Sequence, residues 1–316
     1  MNTRRRLLTL ALAAAAAPRS FAQAAPLRVI VPTPAGGASD QAARLLAQAL
    51  ARRSDRPVQV ENRPGASGAL AARAVQEARA DGQTLLWALA SMSGIPVLQK
   101  SPPFQSLSDF TPVSSVGRFV FGLFVPAESA PRQVAELVAA ARSRPDGLAC
   151  AHGTLGEFMA AAQFMKATGT RLTLVPYKGG AQLMPDLASG RVQLNFGPLA
   201  GGLAQVQAGR VRALAVLAAR RSVLLPEVPT LAEAGVGTGT LPTWQALLAP
   251  PGTPAEVALQ QSREVAAALA EPELQAALER LGLQVEATSP QALATTLQAD
   301  ARLWRDFVAE HAIAPE

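Results

Sequence analysis

The densest group of chemically useful residues is Pro32-Thr33-Pro34-Ala35-Gly36-Gly37-Ala38-Ser39-Asp40. It lies between an apolar run, Leu27–Val31, and a segment with helical periodicity. Glycines let backbone N–H groups approach a ligand closely. A helix start adds unpaired N–H donors and a partial positive charge. Together they suit a carboxylate or a phosphate, although a tight βα turn with no ligand would use the same residues. Asp40 can bond a ligand hydroxyl or ammonium, or simply oppose the helix dipole as a first-turn acid. Lys178 offers a point charge to a distal carboxylate, or is a solvated turn residue. His152 can meet a ligand through either ring nitrogen.

Other chemistries lack their residues. No G-x-x-x-x-G-K-[ST] occurs and no G-x-G-x-x-G follows a strand, so nucleotide loops are not expected. Neither G-x-S-x-G nor H-E-x-x-H is present. Ser91 and Ser93 with His152 could imitate a nucleophile–base pair, but nothing places a third group to orient the base. Two histidines, His152 and His311, and one cysteine, Cys150, make a metal cluster unexpected and a disulfide framework impossible. No cofactor is implied. Cys150 reads as a small core residue, His311 as surface, Tyr177 as framing a cleft or hinge, and Trp87, Trp244 and Trp304 as packing.

The elements that must position these residues alternate. A strand at 27–31 precedes a helix whose stripe is Ala42, Leu45, Leu46, Ala49 and Leu50, with Ser39 as the expected N-cap. A strand at 58–61, a turn Asn62-Arg63-Pro64-Gly65, a helix over 69–80 and a strand at 84–90 follow. A second series predicts strands at 120–125, 148–151, 172–176, 192–196 and 212–217, with helices at 131–142, 157–168, 181–189 and 199–208. Gly235–Gly239 reads as a flexible connection. The tail predicts helices near 254–270, 272–282 and 289–311 with no strands between them, packed on an existing lobe. Alternation of this kind means α/β lobes with parallel βαβ units.

The chain has 316 residues, 49% of them hydrophobic, enough for two lobes of ordinary size. Arg4–Arg6, the short apolar run Leu7–Ala17 and Ala22-Gln23-Ala24 read as a cleaved export leader, residues 1–24. Thr3-Arg4-Arg5-Arg6-Leu7-Leu8 fits an ordinary secretory leader and, more loosely, a twin-arginine one. Four of the 29 basic residues, Arg4, Arg5, Arg6 and Arg19, and none of the 23 acidic ones fall in that leader. The remainder is nearly neutral, which gives no reason to expect nucleic acid as a partner. No later apolar run reaches the ~18 residues of a membrane span.

One family resemblance runs from about Leu27 to the C-terminus. It is carried, in order, by Pro32–Asp40, Val60-Glu61-Asn62-Arg63-Pro64-Gly65-Ala66, Pro176-Tyr177-Lys178-Gly179-Gly180, Arg212–Val216, Glu227–Gly235 and Ala249–Pro254. The chain resembles the periplasmic receptors of tripartite tricarboxylate transporters, the Bordetella uptake receptor type. The resemblance implies a type II periplasmic-binding fold: two α/β lobes, a two-crossing hinge and a ligand cleft between them. It puts lobe one at residues 25–118 plus 218–316 and lobe two at 119–217. It implies a monomeric periplasmic receptor, not an enzyme, that passes a small carboxylate to membrane transporter subunits. A receptor presenting ligand to a sensor kinase, or an exported cleft hydrolase, are the alternatives. Carried over, the ligand residues are Thr33, Ala35, Gly36, Gly37, Ser39, Asp40, Ser91 and Ser93 in lobe one. In lobe two they are His152, Thr154, Tyr177, Lys178, Gly179, Asn195 and Gly197. The sequence departs from the family's pattern at His152–Phe158 and Asn195–Pro198, where an acid to pair with a ligand ammonium is not found.

Overall fold

The computed structural model describes residues 25–54, 56–129, 131–144, 146–177, 180–237, 241–311 and 313–315. The expected leader therefore lies outside the described residues. So do Lys178, Gly179 and part of the Gly235–Gly239 connection.

Two sheets organise the chain. The first comprises β1 (Leu27–Val31), β2 (Val58–Asn62), β3 (Thr84–Leu89), β4 (Thr111–Phe119), β10 (Trp244–Ala249) and β11 (Leu283–Val285), in the order β11-β4-β10-β3-β1-β2. The second comprises β5 (Phe121–Pro126), β6 (Leu148–His152), β7 (Leu172–Pro176), β8 (Leu194–Pro198) and β9 (Val211–Leu217), in the order β7-β6-β8-β5-β9. The apolar β1 is buried nearly throughout because helices cover both faces of its sheet. Helix α1 (Ala38–Ser54) buries Ala42, Leu46, Ala49 and Leu50 of the stripe its periodicity predicts, while Leu45 is half-buried at its margin.

Strand direction decides where a site can form. β1, β2 and β3 run parallel, and so do β6, β7 and β8. Gln245 pairs with Leu89 and Trp244 with Arg118, so β10 begins and β4 ends at the edge where β1 and β3 finish. In the second sheet Phe121 pairs with Pro198 and with Leu217. The start of β5 and the end of β9 thus share the edge where β6 and β8 finish. The chain passes between sheets at these two edges. The carboxyl ends of the parallel strands in both sheets consequently flank the junction, the usual place for a ligand crevice in open α/β sheets.

Four expectations need correction. β4, β10 and β11 were not predicted. Pro112, Ser114, Ser115 and Gly117 make β4 read as turn, and β11 has only three residues. β11 also separates α8 (Ala255–Leu269) and α9 (Pro272–Arg280) from α10 (Pro290–Glu310), so the tail helices are not consecutive. α10 does not rest on one lobe. Leu293 and Leu297 join a core cluster around β3 and β10, whereas Trp304 and Phe307 join the core of the second sheet. Finally, the connection after β9 does not belong wholly to the first lobe. Val216 N–H donates to Pro229 O at 2.8 Å and Leu231 N–H to Val216 O at 2.9 Å, and Leu231, Val236 and Leu241 are buried with the second core.

Close packing at the edge of the first sheet makes one position testable. A Cβ on Gly117 would stand 2.3 Å from the Gln284 carbonyl oxygen across the β4–β11 pair. Gly117→Ala should destabilise the protein by about 1–3 kcal/mol through overpacking. Urea unfolding at unchanged slope would measure it.

Candidate functional site

The loop after β1 is shaped by one carboxylate. Asp40 is 2% exposed and takes the Gly36 N–H at 2.8 Å, Arg44 Nε at 3.0 Å and Asn62 Nδ2 at 2.9 Å. Asn62 Nδ2 also donates to Thr33 O at 3.0 Å, and its Oδ1 accepts from Arg44 at 3.0 Å. Arg63 N–H donates to Val31 O at 2.8 Å, which keeps the end of β2 beside the end of β1. Burial pushes the Asp40 carboxyl up, but its bonds to Arg44, Gly36 and Asn62 outweigh that and hold it below its ordinary value. Asp40 therefore acts as a brace, the first-turn reading of this residue. The helix begins at Ala38, so the N-cap is Gly37, whose carbonyl accepts from Gln41 N–H at 2.9 Å. Ser39 lies inside the helix instead. The chain reverses at Gly36 with φ 85°, left-handed backbone that only glycine adopts readily.

The brace presents the loop at the carboxyl edge of the first sheet. Ala35, Gly36 and Gly37 are exposed there. The Gly36 amide is engaged by Asp40, so an anion would use the first amides of α1, which have no partners within the helix. Ser39 Oγ donates to Gln245 Oε1 at 3.1 Å, and Trp87 Nε1 donates to the same oxygen at 2.8 Å. Thr33 Oγ1 and Ser93 Oγ are buried and have no hydrogen-bond partner among the described residues. Ser91, two residues earlier on the turn after β3, is exposed.

The second sheet offers a matching edge. His152 ends β6, half-buried, with its ring 5.4 Å from that of Phe158; burial lowers its pKa, so it is neutral at pH 7. Thr154 caps α5 (Leu155–Thr168), accepting from Glu157 N–H at 3.2 Å, while Glu157 takes the Gly153 N–H at 2.5 Å. Asn195 is 1% exposed and donates to Ala151 O at 3.0 Å. Gly197 is buried two residues further along β8. Tyr177 N–H donates to His152 O at 2.8 Å, tying the end of β7 to that of β6, and its hydroxyl donates to Asp186 at 2.8 Å. The bond to Asp186 raises the Tyr177 pKa, so the hydroxyl is no acid at neutral pH. Cys150 is a core thiol, pushed up to about 12 by burial, as a small core residue would be.

Sequence reasoning missed Arg44, Asn62, Gln245 and Glu157 as parts of the site. Gln245 is the lone polar residue in the apolar run Trp244–Ala249, which was a usable signal. Glu157 follows Thr154 by three residues, the spacing of a capping box. The Asn195–Pro198 loop carries no acid; Glu157 is an acid of the second lobe that comes from a helix start instead.

A cavity of about 630 Å³ opens at the junction among Arg118, Phe119, Val120, Leu217 and Arg220. It contains none of the expected ligand residues. Its two arginines are paired, Arg118 with Glu286 at 2.8 Å and Arg220 with Glu279 at 3.0 Å. The loop edges offer better donors for an anion. Among the described residues, no three His, Cys, Asp or Glu side chains converge as metal ligands.

Two α/β sheets whose carboxyl edges and polar loops flank one junction define a two-lobed solute-binding protein, and known proteins agree. A family model described as tripartite tricarboxylate transporter family receptor matches residues 42–313. Protein BugT of Bordetella pertussis is 34% identical over 253 residues, 78% of this chain and 77% of that protein. A protein from the tcbD–tcbE intergenic region of a Pseudomonas species is 33% identical, covering 90% and 86%. Among solved structures, R. palustris Rpa4515 with adipate has a TM-score of 0.77 at 32% identity, covering 92% of this chain and 98% of that one. The periplasmic binding protein BugD has a TM-score of 0.74 at 28% identity, covering 92% and 99%. MatC of Rhodopseudomonas palustris with bound malate has a TM-score of 0.69 at 27% identity, covering 90% and 98%. This chain belongs to the tripartite tricarboxylate transporter receptor family, whose members are substrate-binding receptors of two-lobed periplasmic fold.

The Asp40 brace gives a pH signature. Its folded pKa is below the ordinary 3.8, so the stability it adds is fully present above that value. It is lost as pH falls through the lower folded value. Asp40→Asn should cost about 1–3 kcal/mol at pH 7 by leaving buried donors unpaired. The gap to the unmodified protein should close below pH 3.8. Urea midpoints measured from pH 7 to pH 2.5 would check it.

Proposed function

We propose that this chain is an exported receptor that captures a small carboxylate in the periplasm and presents it to membrane transporter subunits. The carrying observation is the braced loop 32–39 at the carboxyl edge of the first sheet. A helix start is suited to an anion, and at the same sheet edge, after the neighbouring strands β1 and β3, the buried hydroxyls of Thr33 and Ser93 have no partner among the described residues. The ligand carboxylate docks on this edge through Thr33, Ala35, Gly37, Ser39, Ser91 and Ser93. His152, Thr154, Asn195 and Gly197 close on it from the opposite lobe, with Tyr177 fixing the end of β7. The adipate and malate held by two relatives support the choice of a carboxylate.

Lobe one in this reading is residues 25–118 with 244–316 and lobe two is 119–217, residues 218–243 lying across the junction. The lobes move about the two crossings, and closure makes the surface a membrane partner reads. The receptor works as a monomer and needs no metal or cofactor. We read it as a receptor, not an enzyme, because the family it belongs to is one of receptors; Ser91 and Ser93 follow β3 in the first sheet and His152 ends β6 in the second.

A thermal-shift screen of residues 25–316 against small mono- and dicarboxylates tests the proposal. A ligand at about 100 times its dissociation constant adds roughly 2.7 kcal/mol and should raise the midpoint by about 3 °C or more. Gly36→Val forces a β-branched residue into left-handed backbone, a cost of about 1–3 kcal/mol. It should weaken binding about tenfold or more with an unchanged far-UV CD spectrum. No response to any acid would sink the reading.

A further inference from the structure

In lobe two, an oxygen of Asn195 and one of Glu157 lie about the same point with no donor among the described residues. Asn195 Nδ2 donates to Ala151 O at 3.0 Å and to Phe196 O at 3.4 Å. Carbonyl oxygens accept only from the N–H side of an amide, so these contacts orient the group and turn Oδ1 away from them. That Oδ1 is buried and has no hydrogen-bond partner among the described residues. Glu157, 6% exposed, has its Oε2 fixed by the Gly153 N–H at 2.5 Å. Among the described residues no side chain donates to this carboxyl. The two groups converge at Gly197: a Cβ there would stand 2.6 Å from Asn195 Oδ1 and 3.5 Å from Glu157 Oε1. The absence of a side chain at Gly197 keeps the space before both oxygens clear.

The place of this pair in the fold matters. Asn195 and Gly197 are at the carboxyl end of β8, and Glu157 is in the first turn of α5, which starts from the adjacent β6. Exposed Thr154 and Pro198 flank them at the edge facing the junction. Native proteins pair nearly all buried polar atoms, so an acceptor left alone beside a binding cleft calls for a donor from outside. Two acceptors, one of them a carboxyl group, repel a second carboxylate and attract N–H groups.

We propose that Glu157 and Asn195 form a subsite for an N–H donor, an ammonium or a primary amide, at the end of the ligand opposite its carboxylate. This rests on the receptor reading above and narrows its ligand class to amino acids and acid amides over dicarboxylates. Burial raises the Glu157 pKa, which is consistent with a carboxyl group that lacks a cation until ligand arrives.

The experiment is isothermal titration of residues 25–316 with matched ligands: the straight-chain dicarboxylate, its monoamide and the ω-amino acid, each from four to seven carbons. At the best chain length the amine or the amide should bind about tenfold tighter than the dicarboxylate, as a site built around specific hydrogen bonds discriminates. Glu157→Gln exchanges a carboxylate for an amide that can itself donate, and should move the preference back toward the dicarboxylate. Dicarboxylates binding best at every length would overturn the subsite while leaving the receptor reading intact; it would mean that Glu157 satisfies Asn195 with its own proton. An order unchanged by Glu157→Gln would also overturn it. If that variant does not fold, the order measured on the unmodified protein still decides. Binding of no acid in any of the three series would remove the receptor reading and the subsite together.

Discussion

The buried carboxylate of Asp40 is the constraint on which the first lobe's edge depends. It gathers donors from the loop (Gly36), from its own helix (Arg44) and from the next strand (Asn62). Three elements distant in sequence are thus held against one side chain. Without those donors the carboxylate could not stay buried, since an unpaired charge away from water is far costlier than an unpaired neutral group. With them, the backbone of residues 33–37 has little freedom, and the start of α1 is aimed at the junction. A binding loop that is already ordered loses less entropy when a ligand arrives.

The lobes are joined by more than their two covalent crossings. Val120, the single residue between β4 and β5, donates to Gly282 O at 3.0 Å on one side and accepts from Leu199 N–H at 2.8 Å on the other. Its backbone is therefore anchored to both lobes at the pivot. α10 adds a second link. Phe307 meets Phe158 edge to face with ring centres 5.4 Å apart, Phe158 stands against His152, and Lys166 pairs with Glu310 at 3.1 Å. An aromatic series therefore runs from the C-terminal helix to the His152 loop. Any opening of the lobes has to slide or break it, so the energetics of closure involve a helix remote in sequence from the binding loops.

The pattern of apolar residues made much of this legible. The stripe on α1, the runs of β1 and β3, and the alternation of strands and helices between residues 148 and 217 follow from periodicities local to each segment. The unpredicted strands are those whose sequence does not look like strand. β4 contains Pro112, two serines and Gly117, yet it is a central strand with Ser114 wholly buried, because β10 and β11 cover its two edges. Ser114 and Ser115 are satisfied by the carbonyls of Thr288 and Glu286, partners that no local pattern reveals.

By itself the sequence determined the glycine-rich loop after β1, the helix behind it and the alternation of strands and helices outside β4, β10 and β11, because glycine placement, helix periodicity and strand runs act over a few neighbouring residues. It also carried enough ordered motifs to reveal the family. Only the tertiary structure decided what each polar residue does. Asp40 became a brace because Asn62, in sequence far from it, lies beside it. Gln245 became the acceptor for Ser39 and Trp87. Glu157 and Asn195 acquired a shared space at Gly197 because β6 and β8 are neighbours in the sheet. The role of a buried polar group is set by the partners that burial leaves it, and those partners are brought together by strand pairing across the chain.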